Sequence, residues 1–174
     1  MNSYKLKIAD PISLELNIKP APSIVLYFLL SVAIIIFAFP LLILIFLIIP
    51  DGDGVSFAFL IPWSIALFVS IYLFRLYLWN RYGREVFIVE KQIIIHYYDY
   101  KFFKDHRKEI EFKYFDIYFS SRKGALISVN DNYGKLPSSS AIYFCLDENI
   151  LESKIELPTT DIIKIGRAIK NKKP

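Results

Sequence analysis

The chain has 174 residues, of which 55% are hydrophobic and 22% charged, and its mean hydropathy is +0.39. That balance fits an integral membrane protein with room for one small extramembrane domain, and the alternative it leaves is a soluble protein with two buried core helices, which so short a chain has little other mass to wrap. The net charge of +4 is dispersed among acidic residues, which gives nucleic-acid binding no support, and the single cysteine, Cys145, excludes an internal disulfide and fits a reducing compartment.

Residues 1–22 precede the first apolar run. Within them Tyr4, Leu6 and Ile8, then Ile12, Leu14 and Leu16, alternate with polar residues, interrupted once by Asp10-Pro11. This period of two suits a half-buried strand, which could add to the edge of a later sheet or lie along lipid headgroups. Lys19-Pro20-Ala21-Pro22 ends the segment, with Pro22 placed just ahead of a helix.

Residues 23–49 and 55–74 hold no charged side chain and are separated by Pro50-Asp51-Gly52-Asp53-Gly54. At about 1.5 Å per helical residue each run reaches roughly 30 Å, the thickness of a bilayer's hydrocarbon core. A chain crossing lipid must satisfy its backbone polar groups internally, so the expectation is a transmembrane helical hairpin over residues 23–79. A cleaved signal is disfavoured: the first run is too long and a second follows it. Pro40 and Pro62 should each kink a helix, and their apolar neighbours suit structural kinks rather than a gate. Asp51-Gly52-Asp53-Gly54 looks like the start of a calcium loop but lacks the later oxygen ligands, so it reads as a tight turn.

The break between the runs carries two aspartates and no basic residue, whereas Lys5, Lys7 and Lys19 precede the first run and Arg75, Arg81 and Arg84 follow the second. Both termini are therefore expected in the cytoplasm. Arg75, Tyr77, Trp79 and Arg81 read as anchors at the membrane interface, with Tyr27 and Tyr72 toward the same side.

Residues 80–174 switch to strand-like patterning. Strands are expected at 85–90, 93–103, 107–113, 125–129, 141–146 and 153–157, with 114–119 extending the third or starting another, and with a long loop at 130–140. Lys104-Asp105-His106 is expected at a hairpin tip. Thr159-Thr160-Asp161 offers N-cap oxygens to a final helix whose Ile162, Ile163, Gly166 and Ile169 share one face, opposite Lys164, Arg167, Lys170, Lys172 and Lys173. The fold class is α+β: a transmembrane hairpin, then an antiparallel barrel or sandwich capped by a helix.

Catalytic chemistry finds no pattern. His96 and His106 lie ten residues apart and read as a half-buried strand residue and a tip residue, Cys145 has no companion, and the glycines are isolated. The expectation is a non-enzyme without cofactor or metal. The binding candidate is the cationic hairpin of Lys101, Lys104, His106, Arg107 and Lys108, facing anionic headgroups. Tyr97, Tyr98, Tyr100, Phe102 and Phe103 offer a second candidate, because alternation lets only half of them enter one core; the rest would form a patch for a protein partner.

The order of elements, with Arg81-Tyr82-Gly83-Arg84-Glu85 running from the second span straight into a sheet, resembles bacterial membrane proteins carrying a PH-like domain. The likeness covers residues 23–170, and the segments 78–95 and 157–169 carry most of it; the long loop at 130–140 departs from the compact pattern. It implies a multi-pass protein of the bacterial inner membrane with a membrane-proximal binding or scaffolding role and no reaction. The cationic hairpin is similar in kind to the loop with which eukaryotic PH domains gather a phosphoinositide headgroup. An accessory, regulatory or immunity-type subunit bound to another membrane protein is the alternative, and the partner could also be a second copy of the chain through self-association.

Overall fold

A computed structural model describes residues 4–43, 45, 57–120, 125–131 and 136–171. The turn expected at residues 50–54 and the last cations, Lys172 and Lys173, lie outside them. The chain divides into two compact units, one of Met1–Ile18 with Gly83–Pro174 and one of Lys19–Tyr82.

The smaller unit holds α1 (Ser23–Ile43) and α2 (Phe57–Tyr82). Helix α1 begins right after Pro22, whose carbonyl accepts from the amides of Val25 and Leu26 at 3.0 and 3.2 Å. The two helices are antiparallel neighbours: the Ala21 amide donates to the Asn80 carbonyl (3.1 Å), and the Ser70 hydroxyl donates to the Ala33 carbonyl (2.9 Å). Ala33 and Ser70 are both buried, and side chains this small let the backbones approach closely. Pro40 and Pro62 lie inside the helices. Ser23–Ile43 and Leu60–Tyr82 are long and apolar enough to cross a membrane, yet only 17% and 11% of these spans is buried. Core helices of a soluble protein would be mostly buried; here Ile24, Phe28, Ile61 and Phe68 are each more than two-thirds exposed.

The larger unit is built from antiparallel sheets. Strands β1 (Tyr4–Ile8), β2 (Ile12–Asn17), β3 (Arg84–Glu90), β4 (Ile93–Asp99) and β5 (Lys104–Glu111) form a five-stranded sheet in chain order. The alternating N-terminal segment thus contributes two strands, with β2 paired to β3 from Ile12↔Val89 to Asn17↔Arg84. A second sheet contains β6 (Phe115–Ser120), β7 (Leu126–Ser128), β9 (Ile142–Leu146) and β10 (Asn149–Glu152), ordered β10-β9-β6-β7, and β8 (Ser139–Ser140) pairs with β11 (Leu157–Pro158). Three separate sheets among the described residues make no closed barrel.

Three expectations are corrected. The strand from residue 93 stops at Asp99 instead of 103, because the Lys101 amide bonds the Asp99 carboxylate (2.7 Å), Lys101 takes a positive φ of 76°, and the Tyr100 amide closes onto the Phe103 carbonyl (3.0 Å). The tip is therefore residues 100–103, and Lys104, Asp105 and His106 lie in β5. The strand expected at 153–157 lies earlier, at Asn149–Glu152, in a hairpin with β9. Residues 153–155 are instead held by side chains described below.

Helix α3 (Thr159–Lys170) buries Ile162, Ile163, Ile165, Gly166 and Ile169, in accord with the helical spacing. Its N-cap is Pro158 and no side chain caps it; the Thr159 hydroxyl donates to the Pro137 carbonyl (2.7 Å), so the threonine pins the preceding loop. The apolar face joins a core that includes Leu14, Leu16, Phe87, Ile94, Ile117, Phe119, Phe144 and Leu157. Gly166 is required there: a β-carbon would lie 2.7 and 2.9 Å from the Val129 methyls.

Candidate functional site

Register sorts the larger unit's candidate residues onto two ends of one sheet. Asn17, Arg84, Asp99 and Lys104 form a row across β2, β3, β4 and β5. The guanidinium of Arg84 bridges this row to Glu15 (3.6 Å) and Asp99 (3.1 Å). At the same end the Ile18 amide donates to the Gly83 carbonyl (3.1 Å), and these two residues lead the chain out toward α1 and α2. The tip of the β4–β5 hairpin therefore projects from the end of the sheet at which both connections leave.

At that tip Phe102 is 69% exposed and Phe103 41%, while Tyr100 is buried and stacks on Phe103 with centroids 4.6 Å apart. The Lys101 ammonium lies 5.8 Å from the Phe102 ring centre and that of Lys104 lies 4.7 Å from Tyr97. The five cations singled out in the sequence do not form one cluster. His106 faces Asp105 (3.2 Å), Arg107 donates to Glu109 from Nε (2.8 Å), and Lys108 sits within the strand opposite His96. A bulge accounts for this spread: His106, at φ 52°, and Arg107 together oppose Tyr97. Lys101 is the cation beside the exposed Phe102 ring, and Lys104 lies over the half-buried Tyr97.

Two of the four expected interface anchors meet on α2. Arg81 donates to the Tyr77 hydroxyl (2.6 Å), and its guanidinium lies 5.7 and 5.2 Å from the rings of Tyr77 and Tyr82. Tyr77 is itself buried, while Arg75 and Trp79 are half-buried. One helical turn separates residues 77 and 81, which is what brings the pair together.

Sequence reasoning missed the most constrained polar group. Glu85 is fully buried and His96 is 4% exposed, against an expected half-buried strand residue. Glu85 Oε2 accepts from the amides of Lys154 (2.8 Å) and Ile155 (3.3 Å), and Oε1 lies 2.8 Å from His96 Nε2. A carboxylate that only accepts makes Nε2–H the donor. His96 stacks on Phe87 (4.6 Å) and meets the edge of Tyr98 (5.0 Å), and its Nδ1 is buried with no partner. Glu85 thereby ties the five-stranded sheet to the segment after β10. The signal was present: alternation places Glu85 on the Phe87 and Val89 face and His96 on the Ile94 and Tyr98 face. Burial, then Glu85 and Tyr100, push the Tyr98 hydroxyl up to about 12, and the Lys154 ammonium lies 4.6 Å from that ring's centre.

The opposite end of the sheet carries a cleft of about 1180 Å³, with Ile12, Val89, Ile93 and Phe112 among its apolar lining and Lys91 and Lys113 alternating with Asp10 and Glu111. Its Asp147 is committed to structure, accepting from the amides of Lys113 (2.8 Å) and Tyr114 (2.9 Å). The half-buried Cys145 thiol is pushed up by burial and by Asp116. No group of three or more metal-ligating side chains occurs among the described residues. No family model, curated protein or solved structure matches the chain.

Proposed function

We propose that the chain is a bacterial inner-membrane protein, anchored by α1 and α2 as a transmembrane hairpin with both termini cytoplasmic. Its β unit, read as a PH-like domain, binds and scaffolds at the cytoplasmic face through lipid headgroups or protein contacts, without catalysis. The observation that carries this reading is the exposure of two long apolar helices. Leaving so many large apolar side chains in water opposes the hydrophobic effect, and a bilayer removes that cost. The cations at residues 5, 7, 19, 75, 81 and 84 support the sidedness, and the run from α2 directly into β3 supports the family likeness.

The test is membrane association and sidedness together. The chain should stay with membranes through an alkaline carbonate wash. In a Cys145→Ser background, Ile150→Cys should react with a membrane-impermeant maleimide only after the cells are opened, since Ile150 is 60% exposed. Release by carbonate refutes the anchor, and labelling of intact cells refutes the orientation.

A second reading, an accessory or immunity-type subunit of another membrane protein, is favoured by the cleft at the far end of the sheet. Ile93 in its lining is exposed, and Ile8 and Tyr114, which adjoin lining residues, are 41% and 80% exposed. An apolar floor inside a rim of mixed charge suits a polypeptide better than an anionic bilayer.

A further inference from the structure

We propose that the cleft end of the β unit pairs with its own copy, so that two chains associate through an isologous, twofold contact. The proposal concerns the β unit alone and does not depend on the anchored reading.

Sheet order ranks the charges that line the cleft. Across the end of the five-stranded sheet come the β1–β2 turn with Asp10, the β3–β4 turn with Lys91, and Glu111 as the last residue of β5. Lys113 follows, its amide held by the carboxylate of Asp147 in the β9–β10 turn. The signs along this row alternate: negative, positive, negative, positive. All four residues are exposed, and none of their side chains forms an ion pair or a hydrogen bond among the described residues.

A twofold axis that crosses such a row at its middle turns it end for end. Asp10 then faces Lys113 of the second copy, Lys91 faces its Glu111, and each pairing is made twice. A row of one sign, or one with like signs at its two ends, would repel its own copy instead. Ile93 stands at the middle: it follows Lys91 by two residues, and register sets it beside Glu111. The axis therefore brings an exposed apolar side chain against its own copy. Ile12, Val89 and Phe112 line the same cleft, and the exposed Ile8 and Tyr114 adjoin it. An apolar centre ringed by charges that can pair is the anatomy of a specific interface. A partner of another sequence requires no particular order of signs in the row, whereas self-pairing requires one that reads as its opposite when reversed.

The experiment uses the full chain in a non-ionic detergent, with protein mass from light scattering and the dissociation constant from sedimentation equilibrium. The native chain, K91E, E111K and K91E/E111K are compared. The native chain is expected at twice its 20.3 kDa. Each single reversal sets like charges against each other on both sides of the axis and should raise the dissociation constant at least about tenfold at low salt. The double variant restores opposite signs and should return to within about threefold of the native value. Near-UV circular dichroism checks that each variant keeps the native fold, and D10K, K113D and their combination repeat the test on the outer pairs. A monomeric native chain overturns the proposal. So does a dimer that neither single reversal weakens, or a double variant no tighter than the singles. A monomeric chain that instead retains a different protein in equal amount from native membranes, and loses it with K91E, gives the cleft to that protein and overturns self-pairing.

Discussion

Removing the Glu85 carboxylate is the most informative single perturbation of the β unit. Glu85→Ala strips an acceptor from three donors at once, the buried His96 Nε2–H and Ile155 amide and the part-buried Lys154 amide. Each donor left without a partner in the interior costs about 1–3 kcal/mol, which puts the loss for the set at about 3–5 kcal/mol. Glu85→Gln is gentler. Its amide oxygen can still serve the two backbone donors, but its NH₂ then faces His96, whose proton must move to Nδ1, an atom with no partner. We expect a loss of about 1–3 kcal/mol for that variant. In the detergent-solubilised chain, near-UV circular dichroism should show the β unit melting roughly 12–20 °C lower for Glu85→Ala, at about 4 °C per kcal/mol. His96→Phe keeps the stack on Phe87 and removes one donor, so Glu85→Ala should cost less in that background than in the native chain. Melting of both Glu85 variants within a degree or two of the native chain would refute the view that this carboxylate holds residues 153–155 against the sheet.

Three more outcomes are expected. Gly166→Ala should destabilise the β unit by about 1–3 kcal/mol through its clash with Val129, with the penalty relieved when Val129→Ala is added; strict additivity in thermal melts would contradict this. The folded Tyr98 hydroxyl titrates at about 12 against an ordinary value of 10.0, so its contribution to stability is complete below about pH 10 and is lost as pH rises through about 12. Tyr98→Phe should flatten that alkaline loss in a pH series of melts, and an unchanged slope would show that other groups cause it. Because burial and Asp116 raise the Cys145 thiol, maleimide should modify it more slowly in the folded than in the denatured chain at neutral pH, and equal rates would refute the assignment.

Much of the architecture was legible in the chain because it depends on local pattern. Twenty or more consecutive apolar residues without a charge allow one secondary structure, and the buried face of α3 follows from isoleucines at helical spacing. Alternation at Tyr4, Leu6, Leu14 and Leu16 marked strands; the aromatic cluster after residue 96 divides, with Tyr98 and Tyr100 buried and Phe102 and Phe103 exposed, but through the turn at 100–103 and not through alternation. Where hairpins turn was less legible. Asp99 could be read as a strand residue, and only the bond from its carboxylate to the Lys101 amide, with the Tyr100–Phe103 closure, ends β4 before residue 103.

The sequence by itself determined which segments are apolar rods, which are strands and where cations concentrate, since these follow from side-chain period and charge along a few neighbouring residues. Only the tertiary structure decided that the N-terminal hairpin completes the sheet of β3, that His106 and Arg107 face neighbouring carboxylates while Lys101 stands at the tip and Lys104 opens β5 over Tyr97, and that Glu85 closes on His96, Lys154 and Ile155. The reason is register. A bulge or a shift of one residue moves a side chain to the other face of a sheet, and the partners that decide the register lie up to 70 positions away in the chain.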